Sequence, residues 1–424
     1  MTQGERVERV TCLGCGCGCD DITVTVREGR IVEASPACPV EQKWLGDGAV
    51  PWEVLHDGRP TAIEEALTEA ASVLSKPKGR VLVYLAPDLT TQAQRLAVGL
   101  ADLLHATVDS ATSETAAAGL LAAQRRGRAT ATLGEVRNRG DVLLFWGVDP
   151  RPRYPRYLSR YALEPAGTHV PEGRAGRTVI SVTIGADEGL GDADLTVALA
   201  PEAEIAALSL MRAAVSGHQP GDLSPQLRQT VALVPKLTGA RYAVLVHDAE
   251  PTAERRNPLR VEGLIALTQA LNGPTRAALS SLRAGGNRAG AESALTWQTG
   301  FPLAVDFSRG HPRYSPGDRG LSRLAAGGFT AALVAGSPAV DDEAATALSR
   351  IKTVAIGPRA SEALFKPCVA IDTGIAGIHD GGIAYRMDEV PLPLRPPLTS
   401  RRSAADTLLA LTASLQSRLE GVRP

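Results

Sequence analysis

The chain has 424 residues, a formal net charge of -1, 44% apolar and 21% charged residues. That length exceeds what one small core needs and implies two to four domains, and the near-neutral charge excludes a global pull toward nucleic acid or an anionic membrane surface. No apolar run approaches the roughly 18 residues that span a bilayer and the N-terminus lacks the basic-then-apolar order of a secretory signal, so the expected location is cytoplasmic, with no membrane partner.

Residues 1–57 read as a small Cys-rich β domain. Val7–Val10 and Ile22–Val26 alternate as strands, Glu28-Gly29 marks a turn and Arg30–Glu33 returns. From Arg59 helices and strands alternate. Thr61-Ala-Ile-Glu64 has the form of a capping box opening a helix to about Ser75. Pro77 and Gly79 break it before the apolar strand Val81–Leu85. A helix over about 90–104 carries Ala93, Leu96, Ala97, Leu100 and Leu104 on one stripe. Apolar strands follow at 142–145, 179–182, 243–246, 331–334 and 353–356, with helices near 202–215, 259–271 and 341–350. Strands apolar on both faces and separated by helices imply parallel, doubly wound sheets.

So many units exceed one small sheet, so two doubly wound α/β domains are expected beside the Cys-rich one. Linker candidates are Arg151–Gly176, rich in Pro, Arg and Gly, and Arg283–Gly290. Pro391–Leu398 cannot form a helix or a central strand, and a final helix covers about 404–419.

Five of the six cysteines fall within the first 38 residues. Cys12, Cys15 and Cys19 are spaced C-x2-C-x3-C, and Cys38 follows in Ser35-Pro-Ala-Cys-Pro39. This is the spacing of a thiolate metal site, either an iron–sulfur cluster of the [4Fe-4S] type or structural zinc. In a reducing compartment such cysteines read as ligands rather than disulfides. Cys17 is expected to point away from the ligands, and Cys368 to be a small core residue. The seven histidines show no paired-ligand spacing, and hydrolase or phosphate-loop motifs are absent where strands meet helices. Between 125 and 160 nine arginines gather, among them Arg151, Arg153 and Arg156. They form a solvated or subunit-facing surface, or contacts to an anionic ligand whose carboxylates or phosphates suit guanidinium forks.

Several stretches, in order along nearly the whole chain, carry a resemblance. They are the Cys12-x2-Cys15-x3-Cys19-Asp-Asp-Ile22 run with Cys38, Thr132–Arg139 leading to Asp141–Gly147, Ser159-Arg-Tyr161, Leu295–Pro302, Ala304–Gly310, Pro312-Arg-Tyr314 and Ala384–Asp388. In these the chain resembles the B-type component of formylmethanofuran dehydrogenase, a relative of the molybdopterin and tungstopterin formate dehydrogenases. The resemblance implies a formate dehydrogenase-like layout: an iron–sulfur-type domain at 1–57, a first α/β domain of 58–138 and 281–390, an inserted α/β domain of 139–280, and a C-terminal Pro-rich segment and helix at 391–424.

The resemblance also places Thr115 and Ala116 at the family's metal-ligating Cys and neighbouring His. A threonine hydroxyl is a poor substitute for a soft thiolate, and alanine cannot move a proton. The strand that meets the pterin nucleotide in the family reads Ser181-Val-Thr-Ile-Gly185, without the family's Asp and Arg. With these losses the chain is similar to the B-type component of bacterial formyltransferase/hydrolase complexes. The implied role is a non-redox scaffold without catalytic residues of its own, assembled with formyltransferase, metallohydrolase and C-type subunits into a complex that binds methylofuran. Its molybdopterin or tungstopterin is expected to be lost. The alternative is the catalytic subunit of a tungsten or molybdenum formylmethanofuran dehydrogenase.

Overall fold

The computed structural model describes residues 4–77, 79–186, 189–219, 221–250, 259–318 and 320–420. It is a mixed α/β protein that divides into two compact units, residues 1–114 with 285–424, and residues 115–284.

In the first unit, the strands Glu5–Val10, Ile22–Arg27 and Arg30–Ser35 form an antiparallel sheet. Its polar face is open, while Val10, Ile22 and Val24 are buried. The helix Pro39–Leu45 follows, and from Val54 the chain enters a larger sheet. Among the described residues that sheet runs, edge to edge, Arg313–Tyr314, Val305–Asp306, Thr107–Ser110, Val81–Leu85, Ala331–Ala335, Lys352–Gly357, Val369–Asp372, Val54–His56, Arg59–Pro60. The strands from Thr107–Ser110 to Val369–Asp372 are parallel and those at both edges antiparallel.

Alternation along a buried strand sends successive side chains to opposite faces. Val81, Val83 and Leu85 accordingly pack with the helices Ile63–Ser75, Thr91–Leu103, Arg288–Thr299 and Ala404–Glu420. Leu82 and Tyr84 pack on the other side with Leu324 and Leu348. Both faces are covered, as continuous apolar strands require.

Local detail departs from expectation at one helix start. The helix begins at Ile63 with Ala62 at its N-cap, and the Thr61 hydroxyl donates to the Glu65 carboxylate instead of accepting a helix N–H. By contrast, Thr90 Oγ1 accepts from the Ala93 N–H at 3.2 Å and caps the helix Thr91–Leu103.

In the second unit a five-stranded parallel sheet has the order Leu195–Leu199, Thr178–Ile184, Val142–Trp146, Ala243–Asp248, Ala277–Leu282. Leu144, Trp146, Ile180 and Leu245 pack on one face with Leu208, Met211 and Leu264. The stretch 151–176, expected as a linker, is instead a packed piece of this unit. Tyr154, Tyr157 and Tyr161 are buried, and a π-helix spans Leu158–Ala162. Buried Arg177 binds the segment down, donating to the carbonyl oxygens of Leu163 (3.1 Å), Pro165 (2.9 Å) and Arg137 (2.7 Å). Composition signalled a linker, but the tyrosines between the prolines supply its core. No described helix is long and apolar enough to cross a membrane.

Candidate functional site

Two places hold the residues singled out by sequence. The first is the cysteine loop of the first unit. The Cys12 N–H donates to the Cys19 carbonyl oxygen at 2.8 Å, closing the loop. The Gly14 N–H points at Cys12 Sγ, 3.1 Å away. Gly14 is small because a Cβ there would stand 3.0 Å from Trp44 Cβ and 3.1 Å from the Val40 oxygen. Its bareness lets the loop lie against the helix that Cys38 caps. There the Cys38 N–H donates to the Glu41 carboxylate at 2.6 Å.

Cys12, Cys15, Cys17 and Cys19 are buried and Cys38 is half-buried. Burial pushes the Cys12 thiol well up, opposed by the Gly14 N–H and reinforced by Cys15, Glu41 and Cys38 nearby. Cys17 does not point away as expected. It is hydrogen-bonded to Cys15, which with burial raises its thiol well above the ordinary range. Cys38 is raised by burial too, against the N–H groups of Glu41 and Val40. Cys368 is half-buried and donates to the Thr353 carbonyl oxygen at 3.1 Å, remote in sequence from the other five.

Among the described residues, no group of three or more His, Cys, Asp or Glu is placed to hold a metal ion. Since the thiolate is the reactive form, iodoacetamide at neutral pH should modify Cys38 in the metal-free native chain before Cys12 and Cys17. Peptide mass spectrometry checks that order, which reverses if the two buried thiols react first.

The second place is the end of the sheet in the second unit. The chain builds outward from Val142–Trp146 to Leu195–Leu199, then returns to add Ala243–Asp248 and Ala277–Leu282 on the other side. Doubly wound sheets bind ligands at such a reversal, beyond the carboxyl ends of the two central strands. The chain's own charges fill this end. Arg153 pairs with Asp248 and donates to the Glu250 carbonyl oxygen at 2.8 Å. The Glu250 N–H returns to Asp248 at 2.9 Å. Arg283 pairs with Glu250 at 3.1 Å, and the Thr115 hydroxyl donates to the same carboxylate at 3.2 Å.

Arg151 is engaged by Asp149 (3.2 Å) and by Asp192, whose hydrogen bond raises the guanidinium's pKa. The forks of Arg151 and Arg153, candidate anion contacts by sequence, are thus held by the chain's own carboxylates. Arg156 is half-buried in the same segment. Asp248, Glu250 and Arg283 escaped the sequence reading, although an acidic pair directly after an apolar strand was a usable signal.

Thr115 is exposed and Ala116 buried. Over the altered strand end, the Leu190 N–H donates to Ser181 Oγ at 2.9 Å. Gly189 lies so close that a Cβ would meet Thr183 Cγ2 at 2.2 Å. A hydroxyl and a methyl group are not the soft ligands that tungsten or molybdenum takes.

No family model matches the chain. It is 32% identical over 411 residues to the B-type component of the tungsten-containing formylmethanofuran dehydrogenase 2 of Methanocaldococcus jannaschii, covering 92% of this chain and 93% of that protein. Over 280 residues it is 29% identical to the B-type component of the formyltransferase/hydrolase complex Fhc of Methylorubrum extorquens, covering 65% of this chain and 72% of that one. A chain in the crystal structure of the FhcABCD complex from Methylorubrum extorquens with methylofuran superimposes with a TM-score of 0.73 at 25% identity, over 87% of this chain and all of that one. Identity at this level over nearly the full length of both proteins is the ground on which the chain belongs to the B-type family of formylmethanofuran dehydrogenase subunits.

Proposed function

We propose that the chain is the non-redox B-type component of a formyltransferase/hydrolase complex, which takes formyl-tetrahydromethanopterin to formate by way of formyl-methylofuran. The observation that carries the reading is Thr115. By the resemblance it takes the family's metal-ligating position, and its hydroxyl is committed to Glu250 at 3.2 Å. The likeness to an FhcABCD chain supports the same assignment. On this reading the transfer and hydrolysis belong to the formyltransferase and metallohydrolase subunits, with a C-type subunit completing the assembly and methylofuran bound by the complex. This chain supplies a scaffold with a formate dehydrogenase-like layout; the insert, expected at 139–280, corresponds to the larger compact unit 115–284.

Cys12, Cys15, Cys19 and Cys38 are the proposed ligands of an iron–sulfur cluster or zinc. A metal there would hold the N-terminal segment in place, since its small sheet buries little core of its own. Arg153, tied to Asp248, has a structural part. Arg151 is exposed, and an anionic ligand there would compete with Asp149 and Asp192; half-buried Arg156 is a second candidate contact.

Purification from the native host tests the proposal. The partner subunits should co-elute, and elemental analysis should find no stoichiometric tungsten or molybdenum. One tungsten or molybdenum per chain would overturn it in favour of an oxidoreductase subunit, the second reading, toward which the 32% identity to the tungsten-containing relative points.

A further inference from the structure

The cysteine loop does more than gather thiols. Its Leu13-Gly14 corner seats the segment by which the chain re-enters the first unit at Gly285. The Gly286 N–H donates to the Leu13 carbonyl oxygen at 2.7 Å. Gly285 has no room for a side chain: a Cβ would stand 2.3 Å from the Gly14 oxygen and 2.7 Å from the Leu13 oxygen. Gly286 follows with φ +86°, and its Cβ would meet the Pro87 oxygen at 2.4 Å.

Arg288 then folds back, with Nε donating to the Gly285 oxygen at 3.2 Å and Nη1 to the Ala111 oxygen at 3.1 Å. Ala111 lies just before Thr115, where the second unit begins. One corner of the cysteine loop therefore supports the returning crossover directly and the outgoing one through Arg288. A Gly-Gly pair is costly to hold in one conformation, and these contacts hold it on one side while buried Asn287, bonded to Leu89, Thr91 and Gln94, anchors the other.

We infer that the Cys12–Cys19 loop is a clamp on the crossover: whatever orders the loop fixes residues 285–288 and, through Arg288, the Ala111 end. A metal on Cys12 and Cys15 is its strongest form and rests on the metal reading above. The clamp itself rests on the Leu13–Gly286 geometry. Coupling of this kind is reciprocal, so disturbing the crossover must also loosen the loop.

Hydrogen exchange of the full chain, with metal content measured in parallel, tests this. Zinc-loaded protein, or protein reconstituted with ferrous iron and sulfide, is compared with chelator-treated, reduced protein. Metal should slow exchange in peptides covering 283–290 and 109–116 at least about tenfold by freezing local opening, and leave the helix Thr91–Leu103 unchanged. Unchanged exchange at 283–290 with one metal or cluster bound overturns the clamp.

If no metal binds, the metal reading fails and Cys12→Ala decides, because it removes the sulfur that accepts the Gly14 N–H. It should speed exchange at 283–290 several-fold, and wild-type rates there overturn the clamp. Should that variant not fold, Gly285→Ala acts from the other side. Faster exchange across 12–19 supports the inference and unchanged exchange refutes it.

Discussion

Replacing Glu204 by alanine is expected to destabilise the 115–284 unit by about 3–5 kcal/mol, the cost of leaving a buried charge without its partner. Glu204 and Arg260 are 1% and 4% exposed and form an ion pair. The second carboxylate oxygen accepts from Arg260 Nη2 at 3.3 Å, and the first also accepts from the indole N–H of Trp146 at 2.8 Å. Trp146 ends a central strand of the sheet, so the network joins that strand to the helices Glu204–Val215 and Arg260–Leu271. Glu204→Gln should lose less, because it keeps an acceptor for the indole. Replacing both ion-pair partners by apolar residues should recover much of the loss. Urea unfolding measures the difference, and a Glu204→Ala variant within about 1 kcal/mol of wild type, the ordinary size of a single substitution, would show that the pair is not isolated from water.

The second large effect is expected at Asp109, at the end of the strand Thr107–Ser110. Its fully buried carboxylate accepts four hydrogen bonds, from the N–H groups of Ser110 (2.9 Å), Ala304 (3.1 Å) and Gly320 (2.7 Å) and from the Ser113 hydroxyl (2.8 Å). Asp109→Ala strands three buried backbone donors, each costing roughly 1–3 kcal/mol. It should leave the first unit largely unfolded at 37 °C, read by circular dichroism and proteolysis. Burial holds the Asp109 pKa above the usual carboxylate value, with the four donors opposing. A group raised in this way contributes stability that is complete below its unfolded pKa of about 3.9 and declines as pH rises through the folded value. Asp109→Asn should flatten that decline, visible as a smaller loss of stability between acid and neutral pH.

The strands were legible because each is a short apolar run between turn residues. The strand Val81–Leu85 lies where its sequence puts it, and those at 142, 179, 243, 331 and 353 extend the expected runs by one to three residues in all. The strands Leu195–Leu199 and Ala277–Leu282 were not found. The first alternates with exposed Thr196 and Ala198 and the second carries two serines, so neither shows a continuous apolar run. Thr61 failed as a cap because nothing local forbids its hydroxyl from choosing the Glu65 side chain over a backbone N–H.

The candidate sites were legible in kind but not in arrangement. Spacing located the thiols, yet only packing against buried neighbours turns Cys17 toward Cys15. Arginine density marked the segment after Gly147, but its carboxylate partners, Asp192 and Asp248, lie far along the chain and become neighbours through the strand order alone.

That strand order also bears on synthesis. The 115–284 unit is continuous in sequence and can close its sheet as soon as Leu282 has emerged. The first unit cannot: the strand Val81–Leu85 is flanked by Thr107–Ser110 on one side and Ala331–Ala335 on the other. At about 5–20 residues per second, one long edge of that apolar strand waits on the order of ten seconds or more for its neighbour. For that interval the nascent chain carries an unpaired strand while its second unit is already complete, and chaperones or partner subunits that bind early would have their effect there.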